Sequence, residues 1–148
     1  MTPTEKIEQW VLTTLSEPNN KFGDLPPCPY AKKAWLNGNV DVKMWENETE
    51  FEKDEWNKLV HIYIFDDIDS HSLSKIASEY NKKYPKYLFL EEHPELVEDV
   101  GGFVVNQGEL ILLIVQDREH LETARDKLME TDYYKHWTPE MKERIIER

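Results

Sequence analysis

Two short apolar runs limit what this chain can become: LILLIV at 110–115 and HIYIF at 61–65. Neither alternates polar with apolar residues, so neither suits a strand with one face in water. Short runs rich in branched and aromatic side chains are strands covered on both faces. Six apolar residues cannot cross a bilayer as a helix, which takes about 20. A sheet buried on both sides needs helices in two outer layers.

The rest of the sequence supplies them. Thr2 and Glu5 form a capping box and Pro3 suits a first helical position, predicting a helix from Pro3 to about Leu15 with Ile7, Trp10 and Val11 on one face. A turn-rich connector follows at 16–27. A second helix is expected around Pro29, burying Ala31, Ala34 and Trp35 and ending at NGN, where Gly38 can take positive φ. Val40, Val42 and Met44 then alternate as a strand. Thr49 and Glu52 repeat the capping pattern ahead of Phe51, Trp56, Leu59 and Val60, so 49–58 reads as a helix. The rival is a hairpin loop over 47–59, because Glu46, Glu48, Glu50 and Glu52 also alternate.

Beyond HIYIF, a helix is expected over Ser70–Lys83 with Leu73, Ile76, Ala77 and Tyr80 inward, then a strand at YLFLEE. The stretch GFVVNQGELILLIVQ reads as a hairpin turning at Asn106, Gln107 and Gly108. Asp117 can cap a helix carrying Leu121, Ala124 and Leu128, and Thr138 with Pro139 opens a last one holding Met141 and Ile145. The expectation is a single-domain α/β sandwich: a mixed sheet of about five strands flanked by helices. Residues 1–27 form its N-terminal helix and Pro-rich connector, and 132–148 a C-terminal helical tail.

At 148 residues one core is expected, and five Trp, seven Tyr and five Phe argue against disorder. One cysteine permits no internal disulfide, and MTPTEKIEQW has neither the basic nor the apolar region of a secretion signal, so a cytoplasmic setting is expected. The net charge is −12, from 30 acidic against 18 basic residues. That disfavours nucleic acid and anionic membranes, whose phosphates need clustered Lys and Arg. It suits a basic protein partner, or a solvated surface and nothing more.

Cys28 is the first candidate for chemistry. It sits in DLPPCPYAKKAW, ahead of a predicted helix, where unpaired N–H groups stabilise a thiolate and Lys32 adds positive charge. Such placement lowers a cysteine pKa from about 8.5 to roughly 3.5–7.5. The alternative is a small apolar residue filling a corner of the core.

CPYA at 28–31 resembles the CPYC active-site motif of glutaredoxins, with Ala31 in place of the second cysteine. In that family a strand leads directly into the motif, whereas KFGDLPP precedes it here. The same residues resemble an uncharacterised bacterial family with Cys-Pro-Phe-Ala near its start and a His-Pro pair late in the chain. Cys28, Pro29, Tyr30 and Ala31, then His93 and Pro94, match across 24–117, with Tyr30 replacing the usual Phe. The resemblance implies no activity; it marks Cys28 and His93 as residues to follow.

The second candidate is a pair of polar clusters at strand ends. FDDIDSH supplies Asp66, Asp67, Asp69 and His71, and LEEHPE supplies Glu91, Glu92, His93 and Glu95. Ligands of open α/β sheets bind beyond the carboxyl ends of strands. Asp66, Asp67, His71 and His93 could hold a divalent metal such as Fe, Mn or Zn, although their spacing matches no metal motif. Otherwise Asp69 caps a helix and its neighbours are solvated. His61, His120 and His136 read as surface or packing residues, and VGGF at 100–103 lacks the spacing of a phosphate loop.

Three functions stay open. Cys28 can serve as a nucleophile acting on a small-molecule substrate, with His93 or His71 as base. The chain can be a non-catalytic acidic interaction module, or it can carry the metal site. If 49–58 is helical, the first three strands run parallel, and Cys28 and the two polar turns are expected on one rim of the sheet.

Overall fold

The computed structural model describes residues 1–145; positions 146–148 of the expected C-terminal tail lie outside the described residues. Thr2 Oγ accepts the Glu5 N–H at 3.1 Å and donates to the Glu5 carboxylate, starting helix α1 (Pro3–Leu12). It stops short of Leu15 because the ladder breaks after Thr13: the Leu15 N–H reaches back five residues to the Trp10 carbonyl and the Ser16 N–H turns onto the Thr13 carbonyl. The connector makes a 3-10 turn at Asn20–Phe22 and places Phe22 in the core. At Gly23, with φ +65°, a Cβ would sit 2.6 Å from the main chain of Asp132, so only glycine lets the connector close on the C-terminal segment.

Helix α2 (Ala31–Leu36) begins after Pro29 and has no side-chain cap. Strand β1 (Val40–Met44) leads to helix α3 (Glu48–Lys53), so the loop alternative for 47–59 is overturned. Asn47 rather than Thr49 is the cap: its Oδ1 accepts the Glu50 N–H at 2.9 Å. The helix ends at Lys53 instead of 58 because Asp54 is extended. Strand β2 (Val60–Phe65), helix α4 (Ser70–Lys83) and strand β3 (Tyr87–Glu92) follow as expected.

The expected hairpin at Asn106–Gly108 is replaced by another. Strands β4 (Asp99–Val100) and β5 (Phe103–Val104) form a two-stranded ribbon that turns on Gly101 and Gly102, both at positive φ. The segment read as one hairpin arm is therefore two residues paired backwards onto β4. Asn106 instead buries its side chain, donating to the Leu96 carbonyl and accepting the Glu98 N–H. Strand β6 (Ile111–Asp117) is free to go elsewhere. Helices α5 (Arg118–Met129, capped by Asp117) and α6 (Pro139–Ile145) complete the described chain.

The main sheet has four strands in the order β1-β2-β6-β3. β1 is parallel to β2, and β6 runs antiparallel to both β2 and β3. The three early strands thus share one direction, with β6 inserted against it between β2 and β3. Side-chain alternation splits the core into two layers. Tyr63, Phe65, Phe89, Leu113 and Val115 face α3 and α4, with Phe51, Leu73 and Tyr80. Ile62, Ile64, Leu112 and Ile114 face α1 and α2, with Ile7 and Val11. A third cluster joins Phe22 and Val100 to Leu128, Tyr133 and Tyr134. Among the described residues no helix is long and apolar enough to cross a membrane.

The β3 edge of the sheet is closed by side chains. Asn81 of α4 accepts the Phe89 N–H at 2.8 Å and donates to the Phe89 carbonyl at 2.9 Å, pairing with the outer rim of β3 as a strand would. The Tyr87 N–H donates to the Tyr84 carbonyl, and Arg118 donates to the Tyr87 carbonyl at 3.2 Å. Asn81→Ala removes both amide bonds and should lower stability by about 1–2 kcal/mol in urea titrations. A change under about 0.5 kcal/mol, the scale of a neutral surface substitution, would mean the pair contributes nothing.

Candidate functional site

The C-terminal ends of β1, β2 and β3 lie at one end of the sheet, as their shared direction requires. Of the polar residues there, Asp66, Asp67 and His71 are exposed. Asp69 caps α4: its carboxylate accepts the Ser72 N–H at 2.8 Å and the Ser72 hydroxyl at 2.7 Å, which holds its pKa below the usual carboxylate value. His93 is buried and fully engaged. Its Nδ1 accepts the Glu95 N–H at 3.1 Å, so Nε2 carries the proton and donates to the Ile68 carbonyl at 2.9 Å. The ring straps the end of β3 to the loop before α4 and has no lone pair left for a metal. Among the described residues, no three or more His, Cys, Asp or Glu side chains are grouped to hold one.

Cys28 sits in the connector just before α2. Its N–H donates to the Leu15 carbonyl at 2.9 Å, and the neighbouring Pro27 carbonyl accepts from the Tyr133 hydroxyl. Burial pushes the thiol pKa up; the Tyr30 and Ala31 N–H groups and the Arg125 guanidinium pull the other way and lose. A six-residue helix without a cap provides little dipole. The expected depression of the thiol pKa is thus outweighed by desolvation. The groups around Cys28 and those bonded to His93 have no residue in common.

Glu92 is the most perturbed carboxyl at the strand ends. It is 7% exposed, and its Oε2 is buried with no hydrogen-bond partner among the described residues. Burial, with repulsion from Glu98 and Glu91, pushes its pKa up to about 8 against the pull of the Gln107 N–H. The side chain is held as a neutral acid through most of the physiological range.

A further site, not singled out in the sequence, lies along β1. The Val60 N–H donates to Asn39 and the Trp45 N–H to Ile64. Parallel pairing therefore turns the main chain of 39, 41, 43 and 45 toward β2, and that of Val40, Val42 and Met44 outward. Among the described residues, no strand pairs with β1 on that side. Beside this open edge, β1 and α3 enclose a cleft of about 180 Å³ lined by Lys43, Trp45, Glu46, Glu50, Phe51, Asp54 and Tyr63, with Met44 at its lip. Asp54 accepts the Tyr63 hydroxyl at 2.6 Å and pairs with Lys43 at 3.3 Å; Trp56 donates to the Tyr63 oxygen. Trp45 stacks on Phe65 at 4.5 Å and tilts against Phe51 at 4.9 Å, which forms the apolar wall. On the same face, buried His61 accepts the Lys58 N–H on Nε2 and turns Nδ1 toward Asp41.

Alkylation by iodoacetamide tests the state of Cys28. Native protein at pH 7.5 should react at least about tenfold more slowly than urea-unfolded protein, because desolvation suppresses the thiolate. Equal rates would show an open, activated thiol. For Glu92, the folded state binds a proton more tightly than the unfolded chain. Its contribution to stability is therefore complete below pH 4.5 and is lost as pH rises through about 8. Glu92→Gln should stabilise the protein at pH 8 by about 3 kcal/mol, with little effect near pH 4.5. An effect independent of pH would show that folding leaves the carboxyl's pKa near its unfolded value.

Comparison of the chain with protein-family models, with curated proteins and with solved structures gave no match.

Proposed function

We propose that this chain is a non-catalytic binding module that takes a strand from a protein partner along β1. One observation supports the reading above others: the sheet's two edges are treated differently. The outer main chain of β3 is occupied at Tyr87 and Phe89 by Asn81, Arg118 and Tyr84, whereas among the described residues Val40, Val42 and Met44 have no partner for their outward groups beside a cleft. Open edges are hazardous in a folded protein and are normally blocked. An edge left open next to a recess is suited to strand addition, in which main-chain bonds supply affinity and a pocket supplies specificity. The lone thiol fits a reducing compartment, in keeping with a cytoplasmic setting, and the net charge of −12 disfavours nucleic acid as the partner.

A thiol-centred function is the second reading. The two N–H groups and the Arg125 guanidinium around Cys28 favour it, and it ranks lower because burial outweighs them.

Site-specific photo-crosslinking in the native host separates the two edges. A photoreactive residue at Met44 should give a protein adduct, while one at Lys86, beside β3, should not. Val42→Pro removes an outward N–H without touching the β1–β2 ladder and should abolish the Met44 adduct. Adducts that persist in this variant, or that form equally at both edges, would overturn the reading.

A further inference from the structure

We infer that the segment accepted by β1 is basic and extended, and that it places an arginine or lysine side chain in the cleft over Trp45 and Phe51. This rests on the edge-binding reading and specifies the chemistry of its partner.

The geometry follows from the pleat. A strand added to β1 lies about 4.8 Å from it and sends alternate side chains to each face of the sheet. One of those faces is the α3 side, where Lys43 and Trp45 of β1 already point and where the cleft opens. A side chain entering there meets the ring of Trp45 and then Phe51, aromatic faces that attract a cation. The charges agree. Lys43 is within 3.3 Å of Asp54 and 3.8 Å of Asp41, and is thereby neutralised. Glu50 pairs only with exposed Lys53, and Glu46 at the mouth makes no ion pair among the described residues. The recess is left with surplus negative charge beside an aromatic wall. It suits a long cationic side chain and repels an acidic one.

A second copy of the chain is a poor occupant. It brings another net charge of −12, and the one lysine on its own β1, Lys43, is already held by Asp41 and Asp54. Charge complementarity selects a basic segment from a different protein.

The probe is a fluorescein-labelled peptide of roughly eight residues alternating valine with arginine, long enough to cover β1. It is compared with an alternating valine–threonine peptide, and with the arginine peptide N-methylated at every second amide. The arginine peptide should bind at least about tenfold more tightly than either. Joint Glu46→Gln and Glu50→Gln substitution should weaken it about three- to tenfold and leave the threonine peptide unchanged. Exchange of the Val42 and Met44 amides with solvent should slow on binding. If the threonine peptide binds as tightly as the arginine peptide, and both better than the N-methylated one, the cationic preference is overturned and the edge reading stands. If N-methylation makes no difference, or no peptide binds, the strand-addition geometry falls, and with it this inference.

Discussion

Leu112, Leu113 and Val115 are completely buried, and they do it on opposite faces of the same strand. Everything else in the molecule is arranged around that fact. β6 can lose water on both sides only if strands flank it and helices cover both faces, so β2 and β3 take its edges while α1 with α2 and α3 with α4 take its faces. Each of these side chains contributes about 1.5–3 kcal/mol when removed from water. The short helices α2 and α3 hold their shape because the sheet is beneath them.

The same insertion creates the functional asymmetry. With β6 between β2 and β3, the sheet has β1 and β3 as its two outer strands. β3 lies under α4, close enough for Asn81 to reach its outer rim. β1 has only the six-residue α3 above it, and α3 leaves a recess rather than a cover. Charged side chains at Asp41 and Lys43 discourage indiscriminate pairing there without occupying the main chain. Such an edge suits the strand addition proposed for it.

Local signals in the sequence were informative where a residue's role depends on its immediate neighbours. Thr2, Asp69 and Asp117 start helices because a side chain and an N–H three residues on suffice to define a cap. HIYIF and LILLIV read as buried strands because composition alone carries that information. Signals that depend on distant partners were not legible. The expected turn at Asn106–Gly108 looked like a hairpin, but the pairing of β5 was decided by Gly101, Gly102 and β4 behind it. Cys28 has the pattern of an activated thiol; its tertiary surroundings leave it half-buried, and desolvation there pushes the thiol pKa up. His93 has the type and strand-end position of a ligand, but its Nε2–H donates to the Ile68 carbonyl, 25 residues away in sequence. No periodicity marks β1 as an edge strand, since that status is a property of the whole sheet.

The reversed direction of β6 also has a consequence for the order of events during synthesis. β2, α4 and β3 emerge from the ribosome as a continuous crossover unit, yet the strand that belongs between β2 and β3 is made last of the sheet. Until residue 117 is available, β2 and β3 have no common neighbour, and their inner edges carry unpaired main chain. The nascent chain thus passes through a stage with a vacancy in the middle of its sheet, shaped for an antiparallel apolar strand. Long-range pairing of this kind is slow and exposes sticky surface while it waits. The main sheet is completed from its middle rather than from an edge, and until then the nascent chain depends most on whatever shields it in the cell.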